Sequence, residues 1–422
     1  MNTLSLRRQA AYVFLFFVLL MIAVPRGGHS GDLDYWFRWA TYTFNHGLGN
    51  VYQVPDNNYN PLYHYILWLY GKMLGSAEKI DYYRAWLKGF SLLFDFAGAF
   101  WAASLVPERN RRFGLAFLLL FNIGYLYNSL IWIQVDAIYT FFAFGATVLA
   151  VQQRSVGSML CFVLALAAKT QAIMFLPPLL LLWLPLWWHR PWRLVQSLGA
   201  GALLSVMVLA PFIWWAEENY LPRILDINFK ATSTYPFLSI NAYNLWFCLS
   251  PTDSPPLVPD SLPFAGLTYH LWGLLLFCGF SAVTLVPLLV AVVRASLTRP
   301  TATATHIAGP DMALVLLSFG TIPLLFAFFN TQMHERYWHA AILFLAAYGF
   351  LRHNYLPYVL ASVAYFLNLE GILRFLQLKN YGVLVFQPWF VAALFGLTIL
   401  IAIINIYRLA PWWASPTPKP II

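Results

Sequence analysis

The stretch GDLDYWFRWA, residues 31–40, places two carboxylates, Asp32 and Asp34, directly after an apolar run long enough to enter a membrane. A base at that boundary can meet both a lipid-linked substrate and a soluble one. Isolated carboxylates there are costly to keep, and function is the default reason for keeping them. The same pair would also cap an interfacial helix and complement its positive N-terminal end. Four further stretches carry groups able to do chemistry: NYNPLYHYIL at 58–67, IWIQVDAIYTFF at 131–142, AAKTQAIMFLPPLLLL at 167–182 and NTQMHERYWHAAI at 330–342. They contribute Gln134, Asp136, Lys169, Gln171, His334, Glu335 and Arg336. Acids, cations and amides in that mixture suit proton transfer and the binding of an anion.

The elements that must position them belong to a membrane protein. Hydrophobic residues make up 60% of the chain and charged ones 10%, against roughly 25% charge in a soluble domain. With 18 Trp, 24 Tyr and 35 Phe there is material for aromatic belts at both membrane faces. The net charge of +9 sits mostly in short clusters between apolar runs and reads as a topology signal, with no need of nucleic acid. Cys161, Cys248 and Cys278 are scattered, which argues against a disulfide framework or a cysteine-based metal site. Arg7 and Arg8 precede the first apolar run without a convincing cleavage site, so that run reads as a retained span or uncleaved anchor.

Apolar runs lie near 9–25, 83–106, 113–132, 137–152, 156–169, 171–188, 194–215, 269–293, 310–330, 338–352, 355–370 and 388–408. At about 20 residues per crossing, the expectation is an all-α polytopic protein of about twelve spans. Residues 61–75 are apolar but short, with His64 and Lys72 among them, and Pro61 opens them at the first helical position, where proline is best tolerated. Reading them as an interfacial or re-entrant helix puts Arg109, Arg111 and Arg112 on the cytoplasmic side. Arg154, Arg190, Arg193, Arg294, Arg299, Arg352 and Arg408 then follow on the same side, as the positive-inside rule requires.

That topology sends Asp32, Asp34, Gln134, Asp136, Lys169, Gln171, His334, Glu335 and Arg336 to the outer face, at span ends. Two outer segments are large. Residues 26–82 contain an amphipathic helix, with Trp36, Phe37, Ala40 and Phe44 at helical spacing, which would lie flat in the interface. Residues 216–268 are proline-rich toward their end and read as an irregular, partly mobile loop.

Taken in order, the five stretches resemble GT-C glycosyltransferases, and most closely the bacterial branch similar to the GPI-anchor mannosyltransferase that adds the second mannose. That branch shows an early-loop Asp, a Tyr-Pro-Pro-Leu-Tyr, a Gly-Gln-Val-Asp, a Lys-Pro-Gln-Ala and a His-Glu-Arg-Tyr. Here Asn60-Pro61-Leu62-Tyr63 replaces the double proline, Ile133 stands where the glycine would be, and Lys169-Thr170-Gln171-Ala172 lacks the proline. His334-Glu335-Arg336-Tyr337 fits best, and the matches run from about residue 32 to about residue 345.

The resemblance implies a single GT-C-like domain over residues 1–422 that takes a sugar from a polyprenyl-phosphate carrier. A hexosyl- or mannosyl-type transfer with inversion would deliver it to a hydroxyl of a glycan, glycolipid or protein. The setting it implies is a bacterial inner membrane with the site facing the periplasm. Such a donor needs no nucleotide, and no Gly-rich phosphate loop is found. Inversion needs one carboxylate to take the acceptor proton and cations to hold the departing phosphate. Asp32 is assigned as base because it immediately follows the first span, as the family's catalytic Asp does, with Trp36 at the usual aromatic position. Asp34 is the alternative base, or else a helix-start residue or acceptor ligand.

Arg336, His334 and, in second place, Lys169 are expected at the phosphate. Glu335 would hold Arg336 or bind sugar hydroxyls, and Asp136 beside Gln134 would contact sugar hydroxyls or orient a cation. Trp36, Trp39, Tyr59, Tyr63 and Tyr65 would stack on sugar faces. No cofactor is expected; a divalent metal would need Asp32, Asp34 and Asp136 to converge. Each group also has a plainer role: a hydrated loop for His334–Arg336, a snorkelling Lys169, a span cap at Asp136, interfacial anchors for the aromatics.

A transporter or flippase for a lipid-linked sugar is the rival reading, although no paired Gly- or Pro-broken spans occur in corresponding halves. A surface-polysaccharide polymerase or ligase is another. In a cysteine-free background, Asn110→Cys should resist an impermeant thiol reagent added to intact cells; labelling from outside would overturn this topology.

Overall fold

The computed structural model describes residues 5–25, 27–230, 235–252, 254–297, 309–410 and 412; Arg299, one of the topology markers, lies outside them. Helices carry the architecture. The first half contains α1 (Leu6–Ala23), α2 (Ser30–His46), α3 (Pro61–Leu74), α4 (Ala77–Tyr82), α5 (Lys88–Ser104), α6 (Arg109–Leu120), α7 (Ile123–Leu126), α8 (Asp136–Val151) and α9 (Ser155–Ala168). The second contains α10 (Leu176–His189), α11 (Pro191–Trp214), α12 (Leu221–Phe229), α13 (Leu245–Cys248), α14 (Tyr269–Leu297), α15 (Met312–Phe329), α16 (His339–Arg352), α17 (Leu356–Leu373) and α18 (Pro388–Leu409). Among the described residues the only named strands are Pro263–Phe264 and Leu267–Thr268, paired across a tight turn.

The all-α expectation therefore stands, with the apolar helices of a membrane protein. Length and composition qualify seven of them to cross a bilayer: α1, Thr170–His189, α11, Tyr269–Ser296 within α14, α15, α17 and α18. Three more apolar helices, α8, α9 and α16, have only 14–16 residues. At 1.5 Å per residue these span roughly 21–24 Å against a hydrocarbon core of roughly 30 Å. α15 is the hub, apolar and buried on nearly all sides, where Phe319 stacks with Phe175 of the preceding break and Phe344 of α16.

The run at 113–132 departs from a simple span. It bends by 63° between Arg109–Leu120 and Ile123–Ile131. Asn122 causes the break: its side chain caps the N–H of Tyr125 at 3.3 Å and donates to Tyr358 and Ser362 of α17, both at 2.7 Å. Residues 127–131 then close a π-helical turn, and Ile133 sits in left-handed backbone at φ 62°.

Residues 26–82 and 216–268, the two segments expected outside, are built largely from short helices. α3 begins at Pro61 and ends on Gly75, whose φ of 75° lets its N–H return to Gly71 at 2.9 Å. In α2 the buried face is Leu33, Trp36, Trp39, Ala40 and Thr43, while Phe37 and Phe44 are only partly buried. That face packs on the protein, with Trp36 set edge-on against Tyr59 and Tyr63. The second segment holds α12, α13 and the hairpin, and its stretch 237–242 runs along residues 332–333, with the N–H of Ile240 donating to the Met333 carbonyl at 2.8 Å.

The first outer segment meets the end of α11 through Gly49, where a Cβ would run into the Pro211 carbonyl oxygen and lie 3.1 Å from the Ala216 Cα. Gly49→Ala should lower stability by about 1–3 kcal/mol, whereas Gly114→Ala, with nothing within 4 Å, should not. Equal melting temperatures in detergent for the two variants would refute this contact.

Candidate active site

Between residues 26–82, residues 216–268 and the helix ends beside them lies a cavity of about 840 Å³. Asp32, in the first turn of α2, lines it. Its Oδ2 accepts hydrogen bonds from Nε2 of Gln134 at 2.7 Å and Nε1 of Trp132 at 3.3 Å. The left-handed Ile133 lies between those two donors in sequence and lets both point back at one oxygen. Among the described residues no cation lies within salt-bridge distance of Asp32. It is a carboxylate oriented by neutral donors.

The cations occupy another wall. Lys169 and Arg336 both line the cavity, as does His334. Nζ of Lys169 is 2.5 Å from Oδ1 of Asp136 and lies 5.2 Å from the centre of the Tyr337 ring. Lys169 is thus largely neutralised by its partner. Arg336 is bonded to Glu335 at 3.1 Å, and its Nε carries no partner among the described residues. Despite burial, the charges of Glu335 and Asp32 hold the guanidinium above its ordinary value. Burial pushes the Glu335 carboxyl up, with Arg336 opposing. Burial, with Arg336 and Lys169 close by, holds the His334 imidazole well below its ordinary range. His334 is therefore a neutral hydrogen-bonding group.

Tyr35, Tyr59, Tyr235 and Tyr337 supply aromatic surface, whereas Trp36 and Trp39, expected to stack on a sugar, border the cavity but are almost fully buried; Gln171 lines the cavity while donating to the Tyr337 hydroxyl at 2.8 Å. Several expected residues are elsewhere. Asp34 points away from the cavity and pairs with Arg84 at 2.7 Å on the exposed surface. Asp136 has no solvent exposure, being covered by Lys169. Gln134 and Glu335 are buried and bonded to Asp32 and Arg336, not lining the cavity themselves. Tyr63 is buried behind Trp36, and the Tyr65 hydroxyl donates to the Val208 carbonyl of α11 at 2.9 Å. Asp32, Asp34 and Asp136 do not converge, and no three His, Cys, Asp or Glu among the described residues are grouped to hold a metal.

Sequence reasoning missed the wall made by α12. Arg223, Asp226 and Lys230 line the cavity with Asn57, Asn58 and Asn60. Asn60 and Asn228 exchange side-chain hydrogen bonds at 3.2 and 3.0 Å, and the Thr170 hydroxyl donates to Asn228 at 2.6 Å. Arg223 donates to the carbonyls of Val54 and Pro55 at 2.8 Å each. The available signal was the hydrophilic spacing inside 221–230, without a motif to mark it.

The chain matches no family model and no curated protein sequence.

The low His334 pKa has a consequence for stability. The unfolded chain takes up a proton near the ordinary value of 6.5, which the native site refuses. His334 therefore supports folding fully above that pH, and the contribution is lost as pH falls below it. His334→Gln should flatten the loss of melting temperature between about pH 7 and about pH 5; identical pH slopes for variant and wild type would show that the imidazole is not sequestered.

Proposed function

We propose that this protein is a GT-C-type glycosyltransferase that moves a sugar from a polyprenyl-phosphate carrier to a hydroxyl acceptor, with inversion. The observation that carries the reading is the presence, in one cavity, of a carboxylate at Asp32 without an ion pair among the described residues and of the cations Arg336 and Lys169. In the reaction, Asp32 takes the proton of the acceptor hydroxyl as its oxygen bonds to the anomeric carbon. The bond from that carbon to the phosphate oxygen breaks on the opposite face. Arg336, with less help from the already paired Lys169, stabilises the charge that develops on the phosphate, and neutral His334 adds a hydrogen-bond donor. The aromatic surface of Tyr35, Tyr59 and Tyr235 suits sugar faces, and the α12 wall with Asn57 and Asn58 suits a hydroxylated acceptor.

In this reading the seven or eight qualifying helices are completed toward about twelve by α5, α8, α9 and α16, shortened where the cavity cuts into the outer leaflet. The cavity faces the periplasm of a bacterial inner membrane. Gln134 and Glu335 orient the reacting groups without touching substrate. The acceptor is a glycan, glycolipid or protein hydroxyl.

The assay is release of prenyl phosphate when purified protein meets a prenyl-phosphate sugar and candidate acceptors. Asp32→Asn should cut turnover by at least ~10² with donor binding nearly intact, since shape is kept and basicity lost. Asp34→Asn should stay near wild type. Arg336→Ala should weaken both donor binding and turnover, because its charge is felt in ground and transition states. Activity lost in Asp34→Asn and kept in Asp32→Asn would transfer the base role; activity surviving in both would remove carboxylate catalysis and favour a transporter.

A further inference from the structure

Asp95 of α5 and His339, the first residue of α16, have no solvent exposure, and Nε2 of His339 lies 3.3 Å from Oδ1 of Asp95. Neither has a part in the reaction above. The imidazole is stacked on Tyr125 at 5.2 Å with the rings 6° from parallel. The Tyr125 hydroxyl donates to the Asp95 carbonyl at 3.2 Å. Both carboxylate oxygens and both ring nitrogens lack a hydrogen-bonded partner among the described residues. An ionised carboxylate alone in this apolar setting is strongly disfavoured. The imidazole of His339 is the polar group that the fold sets against it.

Their place in the chain says what the contact does. His339 follows Arg336 by three residues, and its backbone N–H donates to the Arg336 carbonyl at 3.1 Å. The Tyr365 hydroxyl reaches the same carbonyl at 3.3 Å. The turn that presents His334 and Arg336 to the cavity thus ends on a residue whose side chain is held by α5.

We propose that Asp95 and His339 are positioning residues, a buried polar contact that anchors the Arg336 turn to α5. How the turn is held does not depend on the transferase reading; what Arg336 does there rests on it. Leucine and phenylalanine would fill the same space without a charge contact, and replacing both members of a buried pair is often well tolerated.

The test compares full-length Asp95→Leu, His339→Phe and the double variant by melting temperature, amide hydrogen exchange and donor KM. Each single variant strands one ionisable group and should melt lower; the double variant should regain most of that loss. Exchange at residues 334–338 should nevertheless stay roughly tenfold faster than wild type in the double variant, and KM for a prenyl-phosphate sugar should rise to a similar extent. Wild-type exchange in the double variant would overturn the proposal, because the pair would then be mere filling. Should the wild type show no transfer, the KM arm rejects the transferase reading while the exchange arm still decides the anchor.

Discussion

The ion pair between Lys169 and Asp136 is the constraint around which the site is arranged. Their side chains are 9% and 0% exposed, and neither charge could be kept alone at that depth. Asp136 opens α8 and Lys169 follows α9, so the pair closes the outer end of a helical hairpin whose other end turns near Arg154. Lys169 reaches its partner because the backbone there is extended, with φ −159° and ψ 132°, which breaks the helix before Thr170. Its ammonium group also lies over the rings of Tyr139 and Tyr337. Through Tyr337 the pair is joined to the segment that carries His334 and Arg336.

Above this floor the cavity is enclosed by polar side chains more than by apolar packing. The two outer segments are joined by the Asn60–Asn228 amides, by Arg223 on two carbonyls, and by Gln53 donating to Glu217 at 2.8 Å. On the other side Asp260, 4% exposed, accepts from Thr331 at 2.7 Å and from Gln332 at 2.8 Å. Hydrogen bonds are directional and lose little when water is near, so they can fix an opening that an apolar contact would tend to collapse. The result is a polar chamber resting on an apolar bundle.

Two of the positive-φ residues border the same place. Ile133 and Gln332 both adopt positive φ, 62° and 67°, beside Asp32's donors and beside the His334 turn. For a β-branched residue this is a genuine outlier, costing roughly 1–2 kcal/mol. Burial of the Ile133 side chain, 2% exposed, offsets it. Gln332 is held by Asp260. Strain that is over-determined by its surroundings in this way characterises sites whose geometry matters.

Much of the architecture was legible in the sequence because apolar length and charge clustering act locally. The apolar runs, the short α3 opening at Pro61 and the helix carrying Asp32 all follow from residue types and spacing. So did the gathering of Lys169, His334 and Arg336, since each sits at the end of an apolar run and could only face water there. What the sequence left open depended on distant partners. Asp32 and Asp34 are two residues apart on one helix, and only the fold decided that one enters the cavity while Arg84, 50 positions away, draws the other to the surface. Likewise, Asp136 resembled a sugar ligand until Lys169 was found covering it, and Asp95 and His339 showed no relation until α5 and α16 packed together. Local patterning fixes which residues sit at the ends of apolar helices; pairing of buried charges across the bundle decides which of them meet the cavity, because that cost is settled only between elements far apart in the chain.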